Sequence, residues 1–354
     1  MKKRCIAFAA VLAAMSALFA YNPPAGGESI YRLAEPNLLA DAGSASGGPL
    51  FTVVPGSIAF NPAVTALNQR VVADASYTML IDTTAENTST NKIASGFQLG
   101  TIIPSKWCVS TVVVQGLFVP FPSMNLGNSI NIHAGVSKDV TDQLYVGLNA
   151  YFGTYFGYGS DFTVGADVGL LYLFKKIGFL TDPRLGVSFM NLGKPLGAGY
   201  VVTGIDGTTA DVSYPGIVTP HVSFAATLFT VKKVSGGFSA DISAPFFQNA
   251  VFDTAFACTY NDMVRLSIGW NANIRELADG CQVNLPSIGL AVKFAVNASG
   301  ISKANADWAK SEICASSAWQ RLYGGIQAIS GGVTMNLGMK DTAAPEIILW
   351  NDEE

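Results

Sequence analysis

Few residues in this 354-residue chain are of a type and spacing that could do chemistry. Its two histidines, His133 and His221, stand far apart, each in a stretch that alternates apolar with polar residues. Neither belongs to a nucleophile or metal-ligand motif: there is no HExxH, no P-loop, no complete GxGxxG and no GxSxG elbow. No catalytic residue, metal site or cofactor is assigned on this basis. Four cysteines follow the N-terminal segment. Cys108 and Cys258 fall in apparent strands and read as small apolar fillers. Cys281 and Cys314 lie in polar segments flanking one apparent strand, so a disulfide between them is one reading and two free thiols the other. The remaining polar residues of interest interrupt apolar stretches: Arg265, Asp167 and Asn149, with Lys293 between Val292 and Phe294. Such groups either fix the polar end of a small ligand or brace the fold as a polar network, and both readings stay open.

The elements that carry these residues have a period of two. Leu144, Val146, Leu148, Ala150 and Phe152 alternate with Tyr145, Gly147, Asn149, Tyr151 and Gly153. The same holds for Phe162 to Tyr172 and for Val264 to Asn271. Similar runs near 70–81, 94–103, 108–119, 129–137, 183–191, 220–231, 234–243, 250–260, 286–296 and 324–339 bring the segments to thirteen, and an even-numbered barrel predicts fourteen. Only 13% of the residues are charged while 49% are hydrophobic, against about 25% charged in ordinary soluble proteins. After the first twenty residues no apolar run reaches the roughly 18 to 20 that a membrane helix needs. These features predict an all-β fold, a transmembrane antiparallel β-barrel of about fourteen strands whose lipid-facing residues alternate with lumen-facing ones.

Lys2, Lys3 and Arg4, followed by an apolar stretch to Phe19 and a small Ala20, read as a secretory signal over 1–20. Its removal takes the net charge from −4 to −7, a surface that would repel nucleic acid. The expected organisation is a signal (1–20), an N-terminal hatch or plug rich in Gly, Pro and Ala (21–69), a barrel (70–340) and a tail (341–354). The polar links at 138–142 and 261–262 read as short periplasmic turns. The longer ones near 82–93, 196–219 and 297–322 read as extracellular loops. Within the last, Asn305 to Leu322 looks helical, with Trp308, Glu312, Ala315 and Trp319 on one face.

The run PGSIAFNPA at 55–63, with Asn61, Pro62 and Ala63, resembles the start of the FadL family of outer-membrane transporters for long-chain fatty acids and other hydrophobic molecules. VSKDVTDQLYVGLNA (136–150), TYNDMVRLSIGWNAN (259–273) and FMNLGKPL (189–196) are similar to later segments of that family, in order. GGVTMNLGMKDTAAPEI (331–347) resembles a FadL-like group from spirochaetes. The resemblance implies a fourteen-stranded barrel with a hatch at about 21–69, an outer-membrane location, and a hydrophobic, fatty-acid-like ligand beside the membrane lipid. Two departures stand against it: Trp350 is followed by Asn351, Asp352, Glu353 and Glu354 where many such barrels end on an aromatic, and the basic residues suited to a carboxylate do not match one by one. The expected function is an uptake channel for hydrophobic small molecules, with Asn61-Pro62-Ala63 as hatch motif. The alternatives are a non-transporting interaction barrel resembling the type IX secretion carrier, and a general porin.

Overall fold

A computed structural model describes residues 23–40, 44–48, 50–84, 91–121, 123–124, 126–156, 160–196, 201–203, 209–211, 218–296 and 311–338. The signal at 1–20, the tail at 341–354 and most of the 196–219 link lie outside the described residues.

Period-two sequences place side chains alternately on the two faces of a sheet, and one curled sheet here uses both faces. Its strands are β1 (Val71–Asp82), β2 (Ile93–Pro104), β3 (Val109–Val119), β4 (Gly127–Asp139), β5 (Leu144–Phe156), β6 (Ser160–Leu173) and β7 (Leu180–Lys194). They continue with β8 (Thr219–Val231), β9 (Val234–Ser243), β10 (Val251–Tyr260), β11 (Val264–Asn273), β12 (Ser287–Val296), β13 (Ser311–Leu322) and β14 (Ile326–Leu337). Each pairs antiparallel with its neighbour in sequence, and β14 pairs with β1, Leu337 opposite Val71 and Ile326 opposite Asp82. The ladder therefore closes into a fourteen-stranded barrel with no free edge. Strands of ten to fifteen residues suffice to cross a bilayer at a tilt.

The two faces have opposite chemistry. On β11, Leu266, Ile268 and Trp270 point outward and Arg265, Ser267 and Asn271 inward. On β5, Leu148 and Phe152 face outward while Asn149 and Tyr151 are buried. Leu99, Ile132, Val222, Ile242, Phe256, Leu290 and Ile329 extend the outer apolar belt around the circumference. Buried positions carry Asp74, Gln98, Gln115, Asn131, Asp167, Asp241 and Asp253. A molecule apolar outside and polar inside suits hydrocarbon as its outer solvent.

Thirteen strands lie where the periodicity predicts them, and the fourteenth corrects the reading of 297–322. Ser311 to Leu322 is β13, not a helical loop. Its outward residues Ala315, Ser317 and Trp319 and its inward residues Cys314, Ser316 and Ala318 are mostly small on both faces, so hydropathy carries no alternation. The link from β12 to β13 consequently starts at the end of the barrel that carries the short turns after β2, β4, β8 and β10, not at the end with the longer 82–93 and 196–219 links. Hereafter these are the short-turn end and the long-loop end.

All four described cysteines are free, which corrects the disulfide reading for Cys281 and Cys314. Cys314 pairs with Lys293 near the short-turn end of β13, whereas the backbone near Cys281 meets Arg321 at the other end, Leu285 N–H donating to its carbonyl. Seven residues of strand separate Cys314 from Arg321, roughly 23 Å at about 3.3 Å per residue, beyond the roughly 7 Å that a disulfide spans.

The outward belt yields a test. Ile268→Arg, in the middle of β11, should lower folding stability in lipid vesicles by about 2 to 4 kcal/mol, and Val231→Arg, at the end of β8, by about 1 kcal/mol or less. Urea titrations in vesicles measure both; equal costs would contradict the depth ordering.

Candidate functional site

The inward side chains do not enclose an empty pore. The described residues of 23–68 run inside the barrel and bond to many of the wall's polar groups. This segment is too rich in Gly and Pro for long helices: it forms 3-10 turns at Gly27–Arg32, Pro55–Ala59 and Pro62–Leu67 and one helical turn, α1 (Pro36–Ala40). Its backbone oxygens accept from Gln115 Nε2 at Tyr31, from Ser76 Oγ at Ala34 and from Ser188 Oγ at Phe60. Ala45 N–H donates to Asp241 Oδ2 at 2.9 Å. The Arg32 guanidinium reaches Asp253 at 2.9 Å in a buried ion pair, supported on the acid by Asn271 Nδ2. Removing one partner of such a pair costs about 3 to 5 kcal/mol because the other charge stays buried.

Asn61, Pro62 and Ala63 sit deep in this segment. Asn61 is fully buried and caps the turn that follows: its Oδ1 accepts from Ala63 N–H at 2.9 Å, while Nδ2 donates to Ala45 O at 2.7 Å and to Leu170 O of β6 at 2.9 Å. Pro62 supplies a fixed φ and no unpaired N–H at the first position of the turn. The wall makes room for the triplet with glycines. A β-carbon at Gly147 of β5 would run into Pro62 and Ala63, and one at Gly169 of β6 into Asn61.

The four polar residues singled out in the strands separate into two groups. Asn149 of β5 and Asp167 of β6 form a bracing network with His133 of β4. Asn149 Nδ2 lies 2.6 Å from Asp167 Oδ2 and 3.0 Å from His133 Nδ1. Asp167 Oδ1 accepts from the backbone N–H of Asn191, whose φ of 60° marks a bulge in β7. That carboxylate therefore holds the shape of the wall. The other histidine, His221, lies 3.1 Å from Asp241.

Arg265 and Lys293 come together. Both line a cavity of about 200 Å³ at the short-turn end, between the inner segment and β10 to β13, with Leu50, Phe51 and Met263 as apolar walls and Asp262 among the lining. Arg265 donates to Asn37 Oδ1 at 2.6 Å, to Thr52 Oγ1 at 2.9 Å and to Leu50 O at 3.2 Å, and lies 6.0 Å from the Phe51 ring centre. Lys293 is half-buried and forms no ion pair among the described residues. One apolar wall beside two cations can hold an amphiphile with an anionic head. Three other spaces around the inner segment are much smaller, about 40, 20 and 10 Å³.

At the long-loop end the segment is fastened by two carboxylates. Glu28 accepts from Asn249 Nδ2 at 2.6 Å and from Asn273 Nδ2. Glu276 of α2 (Ile274–Ala278) accepts from Gly26 N–H at 2.9 Å and from Tyr323 OH at 3.0 Å. Burial, reinforced by Glu276, pushes the Glu28 carboxyl up to about 8; burial pushes Glu276 up to about 7. This fastening and the Arg32 pair were missed in the sequence, although Arg32 is the one basic residue between 21 and 69.

Among solved structures the chain is similar to the CymD monoaromatic hydrocarbon channel (TM-score 0.51, 11% identity, 92% of this chain and 100% of that one). It is also similar to a Pseudomonas aeruginosa FadL homologue (0.50, 12%, 90% and 98%) and to the Pseudomonas putida toluene transporter TodX (0.50, 10%, 83% and 97%). At these identities the likeness is one of fold, and the fold is FadL-like. No protein-family model and no curated protein matches the sequence.

Asn61→Ala would leave two buried carbonyls without their donor and should destabilise the protein by about 1 to 3 kcal/mol, read as a lowered urea midpoint. For Glu28 and Glu276 the folded values lie above the ordinary 4.5, so their stabilising share is complete below about pH 4.5 and is lost as pH rises through 7 to 8. The stability of the native chain should therefore fall between pH 5 and 8 relative to Glu28→Gln/Glu276→Gln. Parallel curves would exclude the two carboxyls as its source.

Proposed function

We propose that this protein is an outer-membrane channel for the uptake of hydrophobic small molecules, exported through a cleaved signal at 1–20, with residues 21–69 serving as its hatch. The observation that carries the reading is the cavity lined by Leu50, Phe51, Met263, Arg265 and Lys293, set between the inner segment and the wall. Solved channels of similar fold carry monoaromatic hydrocarbons and toluene by their descriptions, which supports an apolar cargo. Arg265 and Lys293 support a finer reading, a fatty-acid-like ligand whose carboxylate faces the two cations while its chain lies along Phe51 and Leu50.

Apolar burial drives such binding at about 25 cal/mol per Å², and the headgroup contact sets orientation. In this reading Asn61-Pro62-Ala63 anchors the hatch to the glycines of β5 and β6, and the ligand moves on when contacts such as those of Arg265 to Asn37 and Leu50 give way. A wide, water-filled porin is disfavoured by the segment that occupies the lumen. A purely holding role for a partner protein would leave the cavity without a use.

The test is vesicles containing the purified protein, offered a labelled long-chain fatty acid, toluene and a sugar. Uptake of the first two but not the sugar is expected; sugar uptake alone would indicate a porin, and uptake of none would reject transport. Lys293→Gln, which holds no part of the inner segment, should weaken fatty-acid binding about tenfold, the worth of one charge-assisted contact, and leave toluene unchanged. In a planar bilayer, deletion of residues 21–60 should raise conductance; an unchanged conductance would reject the hatch.

A further inference from the structure

The chain is acidic overall, yet one arc of the short-turn end is not. Lys106 lies in the turn after β2, Lys138 near the end of β4, Lys175 and Lys176 in the turn after β6, and Lys232 and Lys233 in the turn after β8. These turns are successive around the rim, and six strand spacings of about 4.8 Å give an arc of about 30 Å. Three aspartates share it, Asp139, which is buried, and the exposed Asp142 and Asp182.

Among the described residues none of the six lysines forms an ion pair. Outside this arc three cations do pair, Arg70 with Glu312 at 3.0 Å, Lys194 with Asp161 at 2.6 Å and Arg275 with Asp279 at 3.5 Å. Among the described residues the two most exposed aromatic side chains also belong to this arc, Trp107 at 69% and Phe179 at 75%, each beside lysines in sequence, with Lys106 Nζ 5.0 Å from the centre of the Trp107 ring. An aromatic ring beside an ammonium, beyond the end of a membrane-facing wall, is suited to the boundary between acyl chains and headgroups.

We propose that this arc is a docking surface for anionic phospholipid. Lys106, Lys175, Lys176, Lys232 and Lys233 face the phosphates, and Trp107 and Phe179 sit in the acyl boundary beside them. The inference rests on the barrel spanning a bilayer and is independent of what the channel carries. It also gives the molecule a polarity: the short-turn end faces the leaflet with the anionic phospholipid, and one side of the barrel collects it.

The test uses the full mature chain folded in detergent micelles and titrated with phosphatidylglycerol or phosphatidylcholine, bound lipid being counted by native mass spectrometry. The native chain should hold phosphatidylglycerol at least tenfold better, less so in high salt, where exposed charges are screened. In K106Q/K175Q/K176Q/K232Q/K233Q the preference should shrink to within twofold while the heat-modifiable gel mobility of a folded barrel is retained. Equal binding of the two lipids by the native chain, a preference that survives the five substitutions, or displacement of the lipid by excess inorganic phosphate would each overturn the proposal. A chain that stays monomeric without detergent would overturn the bilayer premise as well, a failure distinct from lost lipid preference in an inserted barrel.

Discussion

Backbone pairing without an edge is the constraint on which everything else in this molecule depends. In hydrocarbon an unpaired N–H or C=O costs several kcal/mol, so a sheet survives there only when its last strand returns to its first. The pairing of β14 with β1 meets that condition. Closure then divides the residues of each strand between two surroundings, which is why the same strand carries Leu266 and Arg265 side by side.

Closure also creates a second problem, since the inward groups lose most of their access to water. The N-terminal segment resolves it by lending them its own backbone and a few side chains. Arg32 meets Asp253, Ala45 meets Asp241, and Asn61 reaches back to Leu170. Glycines in β5 and β6 give it room to lie close to the wall. The interior thus carries many paired polar contacts and, at the short-turn end, a cavity where two cations border an apolar wall.

Much of the barrel was legible in the sequence because its outer solvent enforces a contrast that hydropathy reports. Leu148 next to Asn149, or Ile268 next to Ser267, can be read without coordinates. The contrast vanishes in β13, where Ala and Ser occupy both faces and a helical reading of Asn305 to Leu322 took its place. The interior was less legible. Arg265 and Lys293 stood out as interruptions of apolar strands, and the fold brings them together because β12 pairs with β11, Ala291 opposite Arg265. Asp167 and Asn149 stood out by the same criterion but bond to the bulge at Asn191 and to His133, contacts that only the register reveals.

The seam has a bearing on how the molecule is made. It joins the first strand of the wall to the last, and the material inside precedes both in the chain. The ring therefore cannot shut before the whole polypeptide from Val71 to Leu337 has been delivered, and what lies within is more readily wrapped during that process than threaded in afterwards. Contacts so distant along the chain form late, after much loop entropy has been lost. The cylinder is in effect wound around its own contents, and the final zipping of β14 onto β1 is the expected slow stage of its biogenesis.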